Sequence, residues 1–206
     1  MPLSYQHVFE PAHDPSAAPL LLLHGTGGDE HDLLPVGRQL APGAALLSPR
    51  GDVLERGAPR FFRRFAEGVF DLADVERRTH ALADFIAAAA RHYGFDASRL
   101  TALGFSNGAN IAASLLLLRP ESLAAAVLLR PMVVLEPAAV PASAPTLAGK
   151  RVLISSGQFD PIVPADHPPR LAEIFRRAGA DVTLRTHVAS HGLVPGDFAA
   201  AKEFLQ

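Results

Sequence analysis

The apolar residues of this chain fall mostly into short runs, and the runs alternate with longer stretches that have helical spacing. Seven runs of five or six residues predict strands, and most of them are almost continuously apolar. Strands of that kind are typical of a mainly parallel sheet covered by helices on both faces. The seven runs lie near residues 6–10, 19–23, 44–48, 100–104, 124–129, 151–155 and 182–187.

The clearest helical pattern runs from about Leu72 to Tyr93, where one face repeats at intervals of four and three residues. Asp71 is placed to cap the start of this helix, and Gly94 is placed to end it in a left-handed conformation. Further helices are predicted over about 166–178 and 195–205, and residues 137–145 form a loop rich in proline and alanine. The repeating face consists of Val75, Thr79, Leu82, Ile86, Ala89 and Tyr93.

The segment Gly104-Phe105-Ser106-Asn107-Gly108 lies between an apolar run and a helical pattern. A G-x-S-x-G motif between a strand and a helix predicts a nucleophile elbow, in which the serine hydroxyl stands exposed above the sheet. The flanking glycines allow the strand and the helix to approach closely. Ser106 is therefore the candidate nucleophile, and the alternative is an ordinary serine in a turn.

Two later residues complete a serine–acid–histidine order along the chain. Asp160 follows the predicted strand 151–155, and His191 follows the predicted strand 182–187. Loops at the carboxyl ends of parallel strands meet at one edge of the sheet, so these side chains are expected to lie near Ser106. Each also has a simpler interpretation, because Asp160 precedes a proline in a turn and His191 could be a solvated loop residue.

The glycine-rich turn His24-Gly25-Thr26-Gly27-Gly28 follows the apolar strand at 19–23. Such a turn can direct backbone N–H groups inward, and a second donor comes from the residue after the nucleophile. The N–H groups of Thr26 and Asn107 are therefore the predicted oxyanion hole. The alternative, a phosphate-binding glycine loop, lacks the G-x-G-x-x-G spacing and the lysine of a P-loop.

Together these motifs resemble the carboxylesterase/phospholipase family of α/β-hydrolases, which includes the acyl-protein thioesterases. The stretch from Ser48 to Arg64 further resembles a bacterial subgroup related to hydroquinone-detoxification hydrolases. The resemblance implies an α/β-hydrolase fold of about seven strands without a cap domain, and ester hydrolysis through an acyl-enzyme without a cofactor. Thioesterases of the family commonly carry Gln-Gly after the serine, whereas this chain has Asn107-Gly108.

Residues 50–64 hold five arginines around Phe61 and Phe62, and Phe65 follows directly. One interpretation is a surface excursion whose arginines pair with Asp52, Glu55 and Glu67. The other is a segment that overhangs the serine, with Phe61 or Phe62 lining the acyl or leaving-group pocket. Arg130 and Met132, just beyond the strand 124–129, are further candidates for the pocket.

The composition of the chain excludes several classes of protein and of binding partner. The chain has 206 residues, which suits a single domain over 1–206, and its net charge of −2 gives no reason to expect nucleic acid or an anionic membrane as partner. It has no cysteine, which excludes disulfides and thiol nucleophiles and fits a cytoplasmic protein. The apolar pattern predicts neither a signal peptide nor insertion into a membrane. A homodimer is possible.

The nine histidines show no H-E-x-x-H pair or similar spacing, so no metal is expected. The sequence therefore predicts a serine carboxylesterase that hydrolyses small, short-chain acyl or aryl esters. A thioesterase or lysophospholipase is the nearest alternative, and a non-catalytic receptor on the same fold is the more distant one.

Overall fold

Seven strands form one sheet in the order β1-β3-β2-β8-β9-β10-β11. Only β1 runs antiparallel to its neighbour, and the remaining pairs are parallel. Every strand of this sheet overlaps one of the seven predicted runs. The strands are β1 His7–Glu10, β2 Leu20–Leu23, β3 Leu46–Pro49, β8 Thr101–Phe105, β9 Ala125–Leu129, β10 Arg151–Gly157 and β11 Asp181–His187.

The structure is a computed structural model that describes residues 3–136 and 146–206. The proline- and alanine-rich loop predicted over 137–145 lies outside the described residues. Short 3₁₀ turns occur at Ala97–Arg99 and Pro120–Ser122. The helices are α1 Leu34–Leu40, α2 Leu72–Tyr93, α3 Asn107–Leu118, α4 His167–Arg177 and α5 Pro195–Leu205.

Both faces of the sheet are buried, which explains the continuous apolar runs of its central strands. Successive side chains of a strand point to opposite faces, so Leu21 and Leu23 pack into one core cluster, and Leu20 and Leu22 into the other. Buried residues of α2, α3 and α4 complete the first cluster, and those of α1 and α5 complete the second.

The ends of α2 are those predicted from the sequence. The Asp71 side chain accepts a hydrogen bond from the backbone N–H of Asp74, and Gly94 ends the helix with φ of 77°. Because only glycine adopts that conformation without steric cost, the helix stops where the sequence predicts.

The excursion between β3 and α2 contains two small hairpins that the apolar pattern did not predict. Strands β4 Val53–Glu55 and β5 Ala58–Arg60 pair in one, and β6 Arg64–Ala66 and β7 Val69–Phe70 pair in the other. In the first hairpin Arg56 and Gly57 both have positive φ, as a two-residue I′ turn requires. Strands of two or three residues are too short to give an alternating signal.

Between the hairpins, Phe61 and Phe62 point into the core, with 1% and 0% of their surfaces exposed. The ring of Phe61 lies 4.8 Å from that of His24, and the ring of Phe62 packs edge-on against Phe70 at 5.6 Å. The expectation that one of them lines a substrate pocket is therefore wrong. The chain reverses twice within this segment, and its two adjacent rings become anchors of the excursion.

The turn between β8 and α3 depends on glycine at two positions. A Cβ on Gly104 would lie 2.5 Å from the carbonyl oxygen of Gly108. A Cβ on Gly108 would lie 2.6 Å from the carbonyl oxygen of His24 and would overlap that of Leu23. Helix α3 therefore begins in direct backbone contact with β2, which leaves no room for a side chain.

We expect Gly108→Ala to lower the free energy of unfolding by about 3 kcal/mol or more, because backbone atoms cannot move aside as a side chain can. Urea denaturation followed by circular dichroism measures the loss. Gly192→Ala is the control, since no atom lies within 4 Å of its Cβ position. An unchanged unfolding midpoint for Gly108→Ala would contradict the proposed close contact.

We expect Phe62→Ala to lower the free energy of unfolding by about 3–5 kcal/mol while leaving selectivity among esters unchanged. The ring is fully buried behind Phe70 and does not line the cavity beside Ser106, so its removal leaves a void in the core. Thermal denaturation and the ratio of kcat/KM for two esters of different length are the two measurements. A changed ratio with normal stability would restore the pocket interpretation.

Candidate active site

Ser106 lies at the turn between β8 and α3, with φ of 52° and ψ of −113°. Such a conformation costs about 1–3 kcal/mol for a residue with a side chain, so the surrounding structure must impose it. The Ser106 N–H donates to the carbonyl of Leu129 at 2.8 Å, and its carbonyl accepts from Asn110 at 2.9 Å. These bonds anchor the strained residue between β9 and the first turn of α3.

The structure brings the three candidate triad side chains together. The Oγ of Ser106 lies 2.9 Å from Nε2 of His191, and Nδ1 of the same ring lies 2.8 Å from Oδ2 of Asp160. A carboxylate can only accept, so Nδ1 carries the ring proton and Nε2 is free to accept the serine proton. The imidazole is thereby oriented as a general base requires.

The carboxylate of Asp160 is held by its own loop. Its Oδ1 accepts the backbone N–H groups of Ile162 at 2.8 Å and Val163 at 3.1 Å, and its side chain is 2% exposed. The neighbouring Phe159 N–H donates to the carbonyl of Ala189 at 2.9 Å. The loops that carry Asp160 and His191 are therefore joined through the backbone.

The glycine-rich turn after β2 lies beside the serine, and the backbone N–H groups of Thr26 and Asn107 have no hydrogen-bond acceptor among the described residues. Two such donors near the serine are what an oxyanion hole requires. Gly27 N–H donates to the carbonyl of Pro59 at 3.0 Å, and the Oδ1 of Asn107 accepts from Phe61 N–H at 2.8 Å. Both elements are thus attached to the excursion.

His24 fixes the turn from inside the core. Its Nδ1 lies 2.6 Å from the carbonyl of Gly25 and donates to it, while its Nε2 accepts the N–H of Gly51 at 2.9 Å. Burial lowers the pKa of His24, since the cation would lose its solvation and Nε2 could no longer accept. The neutral histidine therefore holds the glycine-rich turn in place.

The cavity beside Ser106 is small, about 20 Å³, which is space for one water molecule. A much larger depression of about 540 Å³ contains no triad residue and lies at the amino ends of the strands, with Leu20 and Thr101 in its wall. The small cavity contains Ser106 and His191, and the larger one lies at the opposite edge of the sheet. The small cavity is lined by Thr26, Arg60, Arg64, Glu67, Phe70, Ser106, Asn107, Asn110, Arg130, Met132, Ile162 and His191.

Of the four pocket residues expected from the sequence, Arg130 and Met132 line this cavity, whereas Phe61 and Phe62 do not. Arg130 is 1% exposed and its guanidinium is paired with the carboxylate of Asp197 at 2.7 Å, so its charge is neutralised within the protein. Met132, together with Phe70 and Ile162, forms the apolar part of the wall.

The cavity also includes Arg60, which the sequence did not single out from the other arginines of the excursion. Its side chain is 2% exposed, donates to Oγ1 of Thr26 at 2.7 Å and pairs with Glu55 at 3.2 Å. Burial, with the nearby charge of Arg64, lowers its pKa from the usual arginine value. The sequence feature that could have distinguished Arg60 from the other arginines is its position directly before Phe61 and Phe62.

Both interpretations of the arginine-rich excursion are partly correct. Arg64 pairs with Glu55 at 2.9 Å and also with Glu67, as the surface interpretation expected. Asp52 pairs instead with Arg78 of α2. At the same time the excursion overhangs the serine, although it does so with arginine, glutamate and Phe70 side chains.

No group of three metal-binding side chains occurs in residues 3–136 and 146–206. Over the same residues, no helix is both long enough and apolar enough to cross a membrane.

Comparison with known proteins gives close matches over nearly the whole chain. The Bacillus subtilis protein MhqD, a hydrolase by name, is 42% identical over 201 residues, which cover 98% of each chain. The structure of a Bacillus cereus carboxylesterase has a TM-score of 0.93 at 44% identity and covers 98% of this chain and 93% of its own. A Mesorhizobium loti carboxylesterase has a TM-score of 0.84 at 35% identity, with 94% and 90% covered.

The fold predicted from the sequence is confirmed by these structures, since the seven-strand, mostly parallel sheet and its helices superpose on a carboxylesterase of the α/β-hydrolase fold. No cap domain is inserted among the described elements. The family model for phospholipases and carboxylesterases matches residues 4–206. The chain belongs to the phospholipase/carboxylesterase family of α/β-hydrolases.

Proposed function

We propose that the protein is a serine carboxylesterase that hydrolyses small, short-chain acyl or aryl esters. The observation that carries the proposal is the continuous chain of hydrogen bonds from Ser106 through His191 to Asp160, beside two backbone N–H groups that have no acceptor within residues 3–136 and 146–206. A receptor on the same fold would have no need for this alignment, because binding does not require an activated hydroxyl. The match over residues 4–206 supports a single domain.

In the first half of the reaction, Ser106 Oγ attacks the ester carbonyl while Nε2 of His191 takes the hydroxyl proton. The carbonyl oxygen becomes an oxyanion and accepts hydrogen bonds from the N–H groups of Thr26 and Asn107, a stabilisation worth about 3–4 kcal/mol per donor in serine hydrolases. His191 then gives its proton to the leaving alcohol, and the acyl group stays on Ser106.

In the second half, His191 removes a proton from a water molecule, and the resulting hydroxide attacks the acyl carbon. The tetrahedral intermediate collapses when the proton returns to Ser106 Oγ, and the carboxylic acid leaves. Asp160 keeps Nδ1 protonated and stabilises the imidazolium in both halves.

The size of the cavity supports a short acyl group. A cavity of about 20 Å³ offers no enclosed channel for a long chain, so the acyl group must lie partly at the open edge of the cavity, which a compact group does most easily. The walls are formed largely by polar side chains, which favours acyl or aryl groups that are compact over extended alkyl chains.

One observation favours the second candidate, a thioesterase or lysophospholipase. The large apolar side chains that are exposed in the described chain belong to the excursion, to the first residue of α2 or to the loops around Asp160 and His191. A long acyl chain could lie across that surface instead of entering a channel. These side chains are Leu54, Phe65, Val69, Leu72, Phe159, Ile162 and Val188.

We expect Ser106→Ala and His191→Ala each to lower kcat by at least about 10⁴-fold while the protein stays folded. Because nucleophile and base act as one unit, the double variant should be hardly slower than either single variant. Ser190→Ala is the matched control, an exposed serine next to His191. Hydrolysis of a p-nitrophenyl ester and labelling by a fluorophosphonate measure the effect; half of the wild-type rate in His191→Ala would disprove the assignment of the base.

We expect kcat/KM to fall as the acyl chain grows beyond a few carbons, without a jump when the substrate forms micelles. Met132→Ala should enlarge the cavity and improve the longer esters by about tenfold relative to acetate, a magnitude typical of added methylene groups. A panel of oxygen and sulfur esters of increasing length makes the measurement. A preference for long chains or thioesters, or activation at the micelle interface, would favour the second candidate.

A further inference from the structure

One side chain, that of Arg130, donates hydrogen bonds to the backbone of the loop that carries His191. Its Nε donates to the carbonyl of Ser190 at 3.2 Å, and its Nη2 donates to the carbonyl of Gly192 at 3.0 Å. These carbonyls belong to the residues immediately before and after His191. A single guanidinium thus binds the backbone on both sides of the proposed base, His191.

The other donors of Arg130 are also occupied. Nη1 donates to the carbonyl of Ser155 at 3.3 Å and to Oδ1 of Asp197 at 2.7 Å, and Nη2 donates to Oδ2 of the same carboxylate at 2.8 Å. A guanidinium has five N–H groups, and these contacts account for all five. Arg130 therefore has no N–H group left with which to bind substrate.

Asp197 completes the arrangement from the first turn of α5. Besides the two bonds from Arg130, its carboxylate accepts the hydroxyl of Ser155 at 2.6 Å and the backbone N–H of Val194 at 2.8 Å. Both side chains of the ion pair are fully buried. Burial alone would raise the pKa of Asp197, but the hydrogen bonds, led by those from Arg130, lower it below its ordinary value.

The backbone of Arg130 is itself strained, with φ of 57° directly after β9. Its N–H donates to the carbonyl of Ser155 at 2.8 Å, which fixes this conformation against β10. A left-handed conformation in a residue with a long side chain is maintained only when the surroundings impose it. The strain and the full use of the guanidinium indicate a side chain aimed at the loop of His191.

We propose that Arg130, paired with Asp197, is a positioning residue that sets the place of His191 over Ser106. The proposal rests on the proposed esterase function and adds to it the part that holds the base. Removal of the planar fork frees the carbonyls of Ser190 and Gly192, so the imidazole loses its alignment with the serine while the oxyanion donors stay in place. The effect should therefore fall on kcat and leave KM nearly unchanged.

The first test is the double variant Arg130→Met/Asp197→Leu, which replaces the buried ion pair with apolar side chains and avoids a single unpaired charge. Such replacements often leave stability unchanged or improve it. We expect a folded protein whose kcat is about 100-fold lower, with KM within about threefold of the wild type, as for a small misplacement of a catalytic group. Labelling by a fluorophosphonate should slow in parallel.

The second test asks whether the fork geometry, and not the charge alone, is responsible. Arg130→Lys keeps the charge but cannot reach three carbonyls and a carboxylate, so kcat should stay at least about tenfold low. Arg130→Gly relieves the positive φ and opens a space, and millimolar guanidinium chloride should restore much of its kcat, whereas ammonium chloride should not. The guanidinium test also covers the case in which the double variant fails to fold.

Ser155→Ala is the matched control, because it removes one bond to Asp197 and keeps all five bonds of Arg130. Its melting temperature should fall while kcat stays at the wild-type value. A folded double variant with wild-type kcat, or Arg130→Gly without guanidinium rescue, would overturn the proposal and leave a merely structural ion pair. Failure of the esterase proposal is separate, since it would appear as full activity in Ser106→Ala.

Discussion

Helix α3 begins on the carbonyls of Leu23 and His24, because Gly108 has no side chain to hold it away. That contact forces the chain to turn within one residue at the end of β8, and Ser106 takes up the strained conformation of the turn. The serine hydroxyl is consequently presented at the carboxyl edge of the sheet, next to the first N–H groups of α3. This turn fixes the position of Ser106, and the other groups of the site are arranged around that serine.

The remaining loops reach the serine because parallel strands end at the same edge. Backbone hydrogen bonds then connect these loops to one another, such as Phe159 to Ala189 and Gly27 to Pro59. The excursion closes one side of the site, with Phe61 and Phe62 as its anchors in the core. The site is therefore assembled on rigid elements, which suits a reaction that depends on fixed donors and a fixed base.

Charge at the site is balanced inside the protein. The buried guanidiniums of Arg60 and Arg130 lie at the cavity, but Glu55 and Asp197 neutralise them. Burial of such pairs contributes little net stability, because the desolvation of two charges offsets their attraction. These buried arginines instead fix the geometry of the site, because one planar guanidinium can hold several carbonyl and hydroxyl oxygens at once. The arginines shape the cavity and its loops and leave little free positive charge for a substrate.

The sequence by itself determined the parts whose signals are local. The apolar runs gave the seven strands their places, Asp71 and Gly94 marked the ends of α2, and the motifs around Ser106, Asp160 and His191 placed these residues at the ends of strands. Each of these features depends on residues within a few positions of one another, so periodicity and turn chemistry are sufficient to find them. The edge at which the loops meet follows from the parallel order.

Only the tertiary structure decided which side chains of the excursion face the core and which face the cavity. Residues 50–70 form strands of two or three residues, and the partners that select between Phe61, Phe62 and Arg60 lie far away in sequence, such as His24 and Thr26. The role of Arg130 likewise depends on Asp197, 67 residues later, and on two carbonyls that carry no side-chain signal. Long-range packing and backbone acceptors leave no local pattern, which is the physical reason that these contacts could not be read from the chain.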